Sequence, residues 1–389
     1  MKFTILLVAC IALAQAAPLL PSATNGKPIP DSYIVILKTG NTADSFKPTF
    51  NSIAQRQNGR GGVKSEIHRE YTAIPGFHAS FNKAALKEIQ AAPEVAYVEQ
   101  DAVVTILGQE NNPPSWGLTR VSEKDLDLSQ PYLYNDAAGS GVTAYIVDTG
   151  VFAGHSQFGG RATLAANFIK GSANTDENGH GTHVSGTIGG STYGVAKKVK
   201  IVGVKVLDAS GSGSTSGVVA GMDWVAQHAT PGKSVVNMSL GGGKSQAIND
   251  AAGRLYNANI PLIVAAGNSA DDACNGSPSG APNTFAVGAS DNTDAPADFT
   301  SFGSCVSIFG PGVDITSSWI GSSSASNTIS GTSMATPHVV GVAALYLSEG
   351  GISTAQALFD KLSSTATLNA IQGELNGSPN ALVYNGGAN

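Results

Sequence analysis

Ser333 lies in the run Gly331-Thr332-Ser333-Met334-Ala335-Thr336-Pro337-His338, ahead of an apolar, small-residue segment over 339–347. That segment reads as a helix apolar nearly all round, hence buried. Pro337 is tolerated only near a helix start, where its missing N–H is not needed. Ser333 is therefore expected at a helix N-terminus, where unpaired N–H groups and the dipole favour negative charge. A serine that attacks a carbonyl and creates an oxyanion needs that setting. A plain Ser/Thr cap ahead of a core helix gives the same pattern, so Ser333 alone does not decide.

Two further segments narrow the choice. The β-rich run 142–147 stops at Asp148-Thr149-Gly150 and reads as a buried strand with a carboxylate at its C-terminal end. Asn178-Gly179-His180-Gly181-Thr182-His183 opens a second small-residue helix, with His180 in its first turn. Asp148, His180 and Ser333 together could perform nucleophilic acyl transfer. His180 and His183 are also spaced i, i+3, which could suit a metal, but no His-Glu-x-x-His occurs. His183 is expected to pack or hydrogen-bond locally.

The elements that must position these residues alternate. Strands are expected at 142–147, 201–207, 235–239, 261–265 and 285–289, and helices near 180–189, 215–228, 246–259 and 332–347. This is the pattern of an α/β, doubly wound parallel sheet. Asp148 and Asn268 fall at strand ends, His180 and Ser333 at helix starts, so one sheet edge should hold the cleft. Upstream, a strand over 31–38, a helix over 44–57, strands over 67–71 and 76–82, a helix over 83–91 and a strand from 95 give a β-α-β-β-α-β order, which is ferredoxin-like α+β.

The Asp148, His180, Ser333 order is that of subtilisin, and the three motifs resemble the subtilisin-family serine endopeptidases, in their proteinase K-like secreted branch. The resemblance covers nearly all of the chain after its first residues. It implies that Ser333 attacks the scissile carbonyl, that His180 takes its proton and hands it to the leaving amine, and that Asp148 holds the imidazole. It makes Asn268, in Ala265-Ala266-Gly267-Asn268, the side-chain donor of the oxyanion hole. Gly211, Ser212 and Gly213, with Ser239, Leu240 and Gly241, resemble the edge segments that pair with an extended substrate. Ser239 to Gly241 and Ala265, Ala266 and Gly267 would wall the primary specificity pocket. They are small and uncharged, which implies apolar or aromatic side chains before the cleaved bond, with broad tolerance.

The upstream unit resembles the family's inhibitory propeptide, including its Tyr-Ile-Val-Ile and Tyr-Val-Glu-Gln-Asp runs. The resemblance implies a self-cleaving zymogen, with the propeptide as intramolecular inhibitor and chaperone over 17–107 (folded from about 31) and the peptidase over 108–389. The apolar stretch 103–107 is expected to lie in the cleft as a substrate strand, with cleavage at Leu107–Gly108. Non-catalytic binding proteins or non-maturing inhibitors on the same fold are the rival readings.

The first 16 residues read as a secretory signal peptide, with Lys2, an apolar stretch and Ala14-Gln15-Ala16. Residues 17–107 hold nine basic and eight acidic residues, and residues 108–389 hold twelve and twenty. So acidic a body is a poor nucleic-acid binder, and no anchor for a membrane is expected. A secreted monomer acting on proteins and peptides is the resulting expectation. Cys10 falls in the signal segment; Cys274 and Cys305 remain, at the separation of a disulfide in bacterial relatives of proteinase K. The chemistry requires no cofactor. Pro282 and Thr284 align with backbone ligands of a family calcium site, but Ser307 stands where its aspartate belongs, and a hydroxyl cannot supply that charge. The acidic run 123–127 is expected to be a solvated turn. Among three sequons, Asn275 is the expected glycosylation site; Asn237 falls in a buried strand and Asn376 precedes Pro379.

Overall fold

The computed structural model describes residues 16–20, 27–58, 63–71, 75–103 and 107–387. The expected signal segment lies outside the described residues except for Ala16. The chain forms two compact units, 1–105 and 106–389.

The first unit contains β1 (Leu19–Leu20), β2 (Lys27–Leu37), α1 (Ala43–Gln57), β3 (Glu66–Tyr71), β4 (Gly76–Ser80), α2 (Lys83–Ala91) and β5 (Val95–Val103). Its sheet runs β1-β5-β2-β4-β3, with β2 antiparallel to both neighbours. The helices start where side chains can satisfy free N–H groups. Thr42 and Ser45 form a reciprocal capping box, and Asn82 accepts from Ala84 and Ala85. Tyr33, Phe46, Phe50, Phe77 and Phe81 fill the space between helices and sheet. The β-α-β-β-α-β order is as the sequence implies.

The second unit begins with β6 (Leu107–Glu110), α3 (Trp116–Ser122) and β7 (Tyr132–Asn135). It continues with β8 (Thr143–Asp148), β9 (Ala162–Asn167), α4 (His180–Gly189), β10 (Lys200–Lys205), α5 (Thr215–His228), β11 (Ser234–Met238) and β12 (Gly242–Gly243). Then come α6 (Gln246–Asn257), β13 (Leu262–Ala265), β14 (Gly276–Ser277), β15 (Phe285–Ser290), β16 (Val306–Pro311), β17 (Ile315–Ser318) and β18 (Ser326–Ile329). α7 (Thr332–Glu349), α8 (Ala355–Thr365), β19 (Thr367–Leu368) and β20 (Ala381–Leu382) close the chain.

The main sheet runs β19-β20-β16-β15-β13-β11-β8-β10-β9 and is parallel except for β19 against β20. From β8 the chain winds one way to β9 and β10, then returns to β11 on the other side. β8 therefore ends at the switch in strand order, where a crevice opens in such sheets. α7 is apolar all round and its residues 334–347 are buried, as a central helix must be.

One expectation is corrected. β5 runs through Val103, paired with Lys27, and Leu107–Glu110 pairs antiparallel with Tyr132–Asn135. Leu107 thus faces Asn135, whose Nδ2 donates to Glu349 at the C-terminal end of α7. Ser333 is at the opposite end, sixteen residues away, or about 24 Å along the helix. Leu107 is therefore not laid in the cleft beside Ser333. Backbone pairing with β7 and the 2.7 Å ion pair from Glu110 to Lys197 hold the segment 107–110 elsewhere.

Candidate active site

Asp148 is fully buried at the end of β8. Its Oδ1 accepts from His180 Nδ1 at 2.8 Å and from the Thr149 N–H at 2.7 Å. Its Oδ2 is buried and, among the described residues, meets no donor, so the negative charge is answered chiefly at the imidazole. Burial alone pushes the His180 imidazole down. Attraction to Asp148, the hydrogen bond to it and the charge of Asp176 outweigh burial, and the net shift is upward.

The close approach of α4 to β8 depends on Gly181, where a Cβ would come within 2.1 Å of the Gly150 carbonyl. Asp176 locks the same junction. Its Oδ1 accepts from Thr149 Oγ1 and from the Asn178 and Gly179 N–H groups, and its Oδ2 from Thr182 N and Oγ1. Lys205, fully buried on β10 beside Asp148, donates to the carbonyls of Thr149 and Leu207.

Ser333 is the second residue of α7, whose N-cap, Gly331, has no side chain to cap it. Its Oγ donates to the Ser239 carbonyl at 3.1 Å, and Ser239 Oγ donates back to the Ser333 carbonyl at 2.9 Å. This rotamer makes no hydrogen bond to His180. Catalytic bonds that form only with substrate bound are common. Asn268 Oδ1 accepts from Thr332 N and Oγ1 at 2.8 and 2.7 Å. That fixes the amide and leaves Nδ2 as its donor, on the side of Gly331.

His183 is apart from this chemistry. It is fully buried, with Nε2 near the carbonyls of Ile315 and Asn327 on the β17–β18 hairpin. Burial lowers it to about 4. A local packing role, as expected, fits; no group of three or more His, Cys, Asp or Glu able to hold a metal occurs among the described residues.

Two cavities flank the site. One, of about 600 Å³, is lined by His180, Gly211, Ser212, Gly213, Ser239, Leu240 and Gly241 among others. The second, of about 390 Å³, lies beside Ser333 between Leu240, Gly241, Ala265, Ala266, Gly267 and Asn268. The expected edge and pocket segments therefore come together. The sequence reading did not include the pocket's third wall, 271–276, which brings Asp271 and Asp272. The signal was present, since the pair follows Asn268 by three residues, but the fold is needed to turn that loop inward. Asp176 was also missed; its signal was a carboxylate four residues before His180.

Cys274 and Cys305 are joined, Cα atoms 5.3 Å apart. Asn275 is exposed at the pocket rim. Asn237 is fully buried, with Nδ2 on Ser239 Oγ. Around the aligned calcium position, Pro282, Thr284 and Ser307 offer no carboxylate, and Thr284 Oγ1 is already bonded to the Pro278 and Ala281 carbonyls. The carboxylate that completes such a calcium site is missing from this donor set. In the acidic run, Asp127 binds the backbone and side chain of Ser129 and the Gln130 amide, a local turn.

Residues 139–381 match the subtilase family, Peptidase S8, and residues 32–107 match the peptidase inhibitor I9 family. The chain is 46% identical over 359 residues to "Subtilisin-like protease 2" of Pseudogymnoascus destructans, covering 92% of this chain and 89% of the relative. It is 45% identical over 375 residues to a "Cuticle-degrading serine protease" of Arthrobotrys oligospora, covering 92% and 91%. Among solved structures, a cold-adapted subtilisin-like serine proteinase matches with a TM-score of 0.67 and 49% identity, over 69% of this chain and 97% of that one.

Proposed function

The chain belongs to the subtilase family of serine proteases, and we propose that Asp148, His180 and Ser333 are the triad with which it hydrolyses peptide bonds. The observation that carries this assignment is the 2.8 Å bond from His180 Nδ1 to buried Asp148. It leaves Nε2 as the atom that takes the Ser333 proton and returns it to the leaving amine. Asp148 orients the imidazole and stabilises the imidazolium. Asn268 Nδ2 and the open start of α7 receive the oxyanion, and an acyl-enzyme on Ser333 then undergoes hydrolysis. Catalysis in this family needs no cofactor.

The substrate backbone pairs with Gly211 to Gly213 and Ser239 to Gly241. Its side chain before the cleaved bond enters the 390 Å³ cavity, where apolar and aromatic groups fit between Leu240 and Ala265. The I9 unit is the intramolecular inhibitor. Cleavage at Leu107–Gly108 separates it; the bond reaches Ser333 only while the pairing of Leu107–Glu110 with β7 is absent. The product is a secreted monomer of residues 108–389, open to glycosylation at Asn275. No helix among the described residues is long and apolar enough to cross a membrane.

Turnover of a chromogenic peptide, abolished by a serine-reactive inhibitor, tests the chemistry; a resistant activity would refute it. N-terminal sequencing of the secreted product tests the boundary, and a start before Val103 or after Trp116 would defeat it. Ser307→Asp should raise calcium affinity if the Pro282 and Thr284 carbonyls are in place, and an unchanged calcium response would reject the alignment there.

A further inference from the structure

The cavity beside Ser333 has two uncharged walls and one acidic wall. The two carboxylates of that wall are not equivalent. Asp272 Oδ1 caps the short turn Ala273–Asn275 by accepting from the Cys274 N–H, and it lies against Gly303, where a Cβ would come within 2.8 Å of the same oxygen. Asp272 is therefore occupied in holding its own loop.

Asp271 is exposed in the cavity lining, and its one side-chain hydrogen bond is 2.6 Å from Ser301 Oγ to Oδ1. Ser301 is only 1% exposed. Its N–H donates to the Gly267 carbonyl at 2.9 Å, and a Cβ on Gly267 would stand 2.7 Å from its Oγ. Gly267 is thus the residue that lets Ser301, and Asp271 behind it, close on the pocket next to Asn268. The backbone of Asp271 is fixed as well, its carbonyl accepting from the Phe302 N–H. Among the described residues no Lys, Arg or His pairs with Asp271.

We propose that Asp271 is a specificity-determining residue that makes this pocket accept lysine and arginine before the cleaved bond, alongside apolar side chains. The proposal rests on the reading that the cavity beside Ser333 holds that residue of the substrate. A lysine or arginine stem lies along the apolar walls at Leu240 and Ala265 as a norleucine would, while its cationic end reaches the carboxylate. A carboxylate with one neutral donor and no counter-ion has acceptor capacity left for a charge-assisted bond. Apolar side chains remain accepted because the exposed Asp271 stays partly hydrated when they enter. An acidic side chain is repelled.

The test compares matched chromogenic peptides that differ only in the residue before the bond: lysine, arginine, phenylalanine and glutamate. The wild-type enzyme should cleave the lysine and arginine peptides within about tenfold of the phenylalanine peptide in kcat/KM, and the glutamate peptide far more slowly. Asp271→Asn should lower the lysine-to-phenylalanine ratio by about tenfold, the size of one charge-assisted hydrogen bond. Raised salt should narrow the wild-type ratio and leave that of the variant nearly constant. Asp272→Asn should move the ratio less than Asp271→Asn. A ratio unchanged within twofold in Asp271→Asn, or moved more by Asp272→Asn, overturns the assignment. Failure of the wild-type enzyme to cleave even the phenylalanine peptide overturns the catalytic reading and this inference with it.

Discussion

In the proposed mechanism two helix N-termini carry the chemistry, and they are built oppositely. At α4 a carboxylate answers the free donors: Asp176 accepts the N–H groups of Asn178, Gly179 and Thr182 at 2.9–3.0 Å. At α7 the N-cap Gly331 has no side chain, and the Thr332 N–H goes to the neutral amide oxygen of Asn268. The difference follows from the charge each residue must carry at the transition state. His180 becomes cationic, so a nearby carboxylate favours the reaction. The substrate oxygen above Ser333 becomes anionic, so its helix terminus must hold no anion of its own.

One turn deeper the two helices become alike. His183 and His338 are fully buried, and burial lowers both to about 4. His183 faces carbonyls of β17 and β18 and, at longer range, the His180 and His338 rings. His338 Nδ1 donates to the Met334 carbonyl, with Gly117 packed on its other nitrogen. The spacing of three residues between His180 and His183 therefore separates a titrating base from a neutral core group. Which carboxylates face each ring makes the difference.

The largest effect should come from removing the nucleophile. Ser333→Ala should leave a folded precursor that does not mature, with turnover down by on the order of 10⁶-fold, the loss known for the equivalent serine in subtilisin. Adding His180→Ala should cost little more, because the residues act as a unit. Clear additivity in peptide turnover would break the assignment.

Asn268→Ala strips the side-chain donor from the open terminus. It should lower kcat by roughly 10²–10³-fold with KM little changed, again the size known for the equivalent donor in subtilisin. A loss confined to KM would mean that Asn268 only binds the ground state.

The buried pair gives a stability signature. Both imidazoles are neutral in the fold, and the unfolded chain takes up protons below about 6.5. The stabilisation from keeping them neutral is thus complete above about pH 6.5. It declines as pH falls toward about 4, by up to about 3 kcal/mol for each ring. His338→Gln should flatten the fall of Tm between pH 6.5 and 4.5, measured on Ser333→Ala protein to avoid self-digestion. An unchanged slope would mean that other groups govern acid unfolding.

Asp176→Asn should produce the smallest activity change and the most direct test of the contrast. It keeps the shape but removes the charge that, after Asp148, helps raise His180, so the acidic limb of kcat/KM should move slightly to lower pH. Activity at neutral pH should drop several-fold, and stability by about 1–3 kcal/mol from the weakened hydrogen bonds. An unmoved limb would reduce Asp176 to a purely structural cap.

Much of this arrangement is determined by local sequence. A strand that stops at Asp148, glycines that let α4 approach it, and an apolar helix opening at Ser333 are readable because period and composition report burial directly. The same holds for the first unit, where cap residues at Thr42 and Asn82 mark the helix starts. Short or mixed elements were not legible. β9 and the β17–β18 hairpin carry too few alternating residues to stand out, and the return of β6 to β7 depends on partners more than twenty residues downstream. Tertiary structure alone decided which polar groups share a cavity and which carboxylate faces which histidine. Asp271 is an ordinary loop residue until Gly267 and Ser301 bring it to the pocket beside Ser333. Asp176 is an ordinary turn residue until Thr149 and the first turn of α4 converge on it. Electrostatic environments are sums over groups far apart in the chain, and no local pattern encodes them.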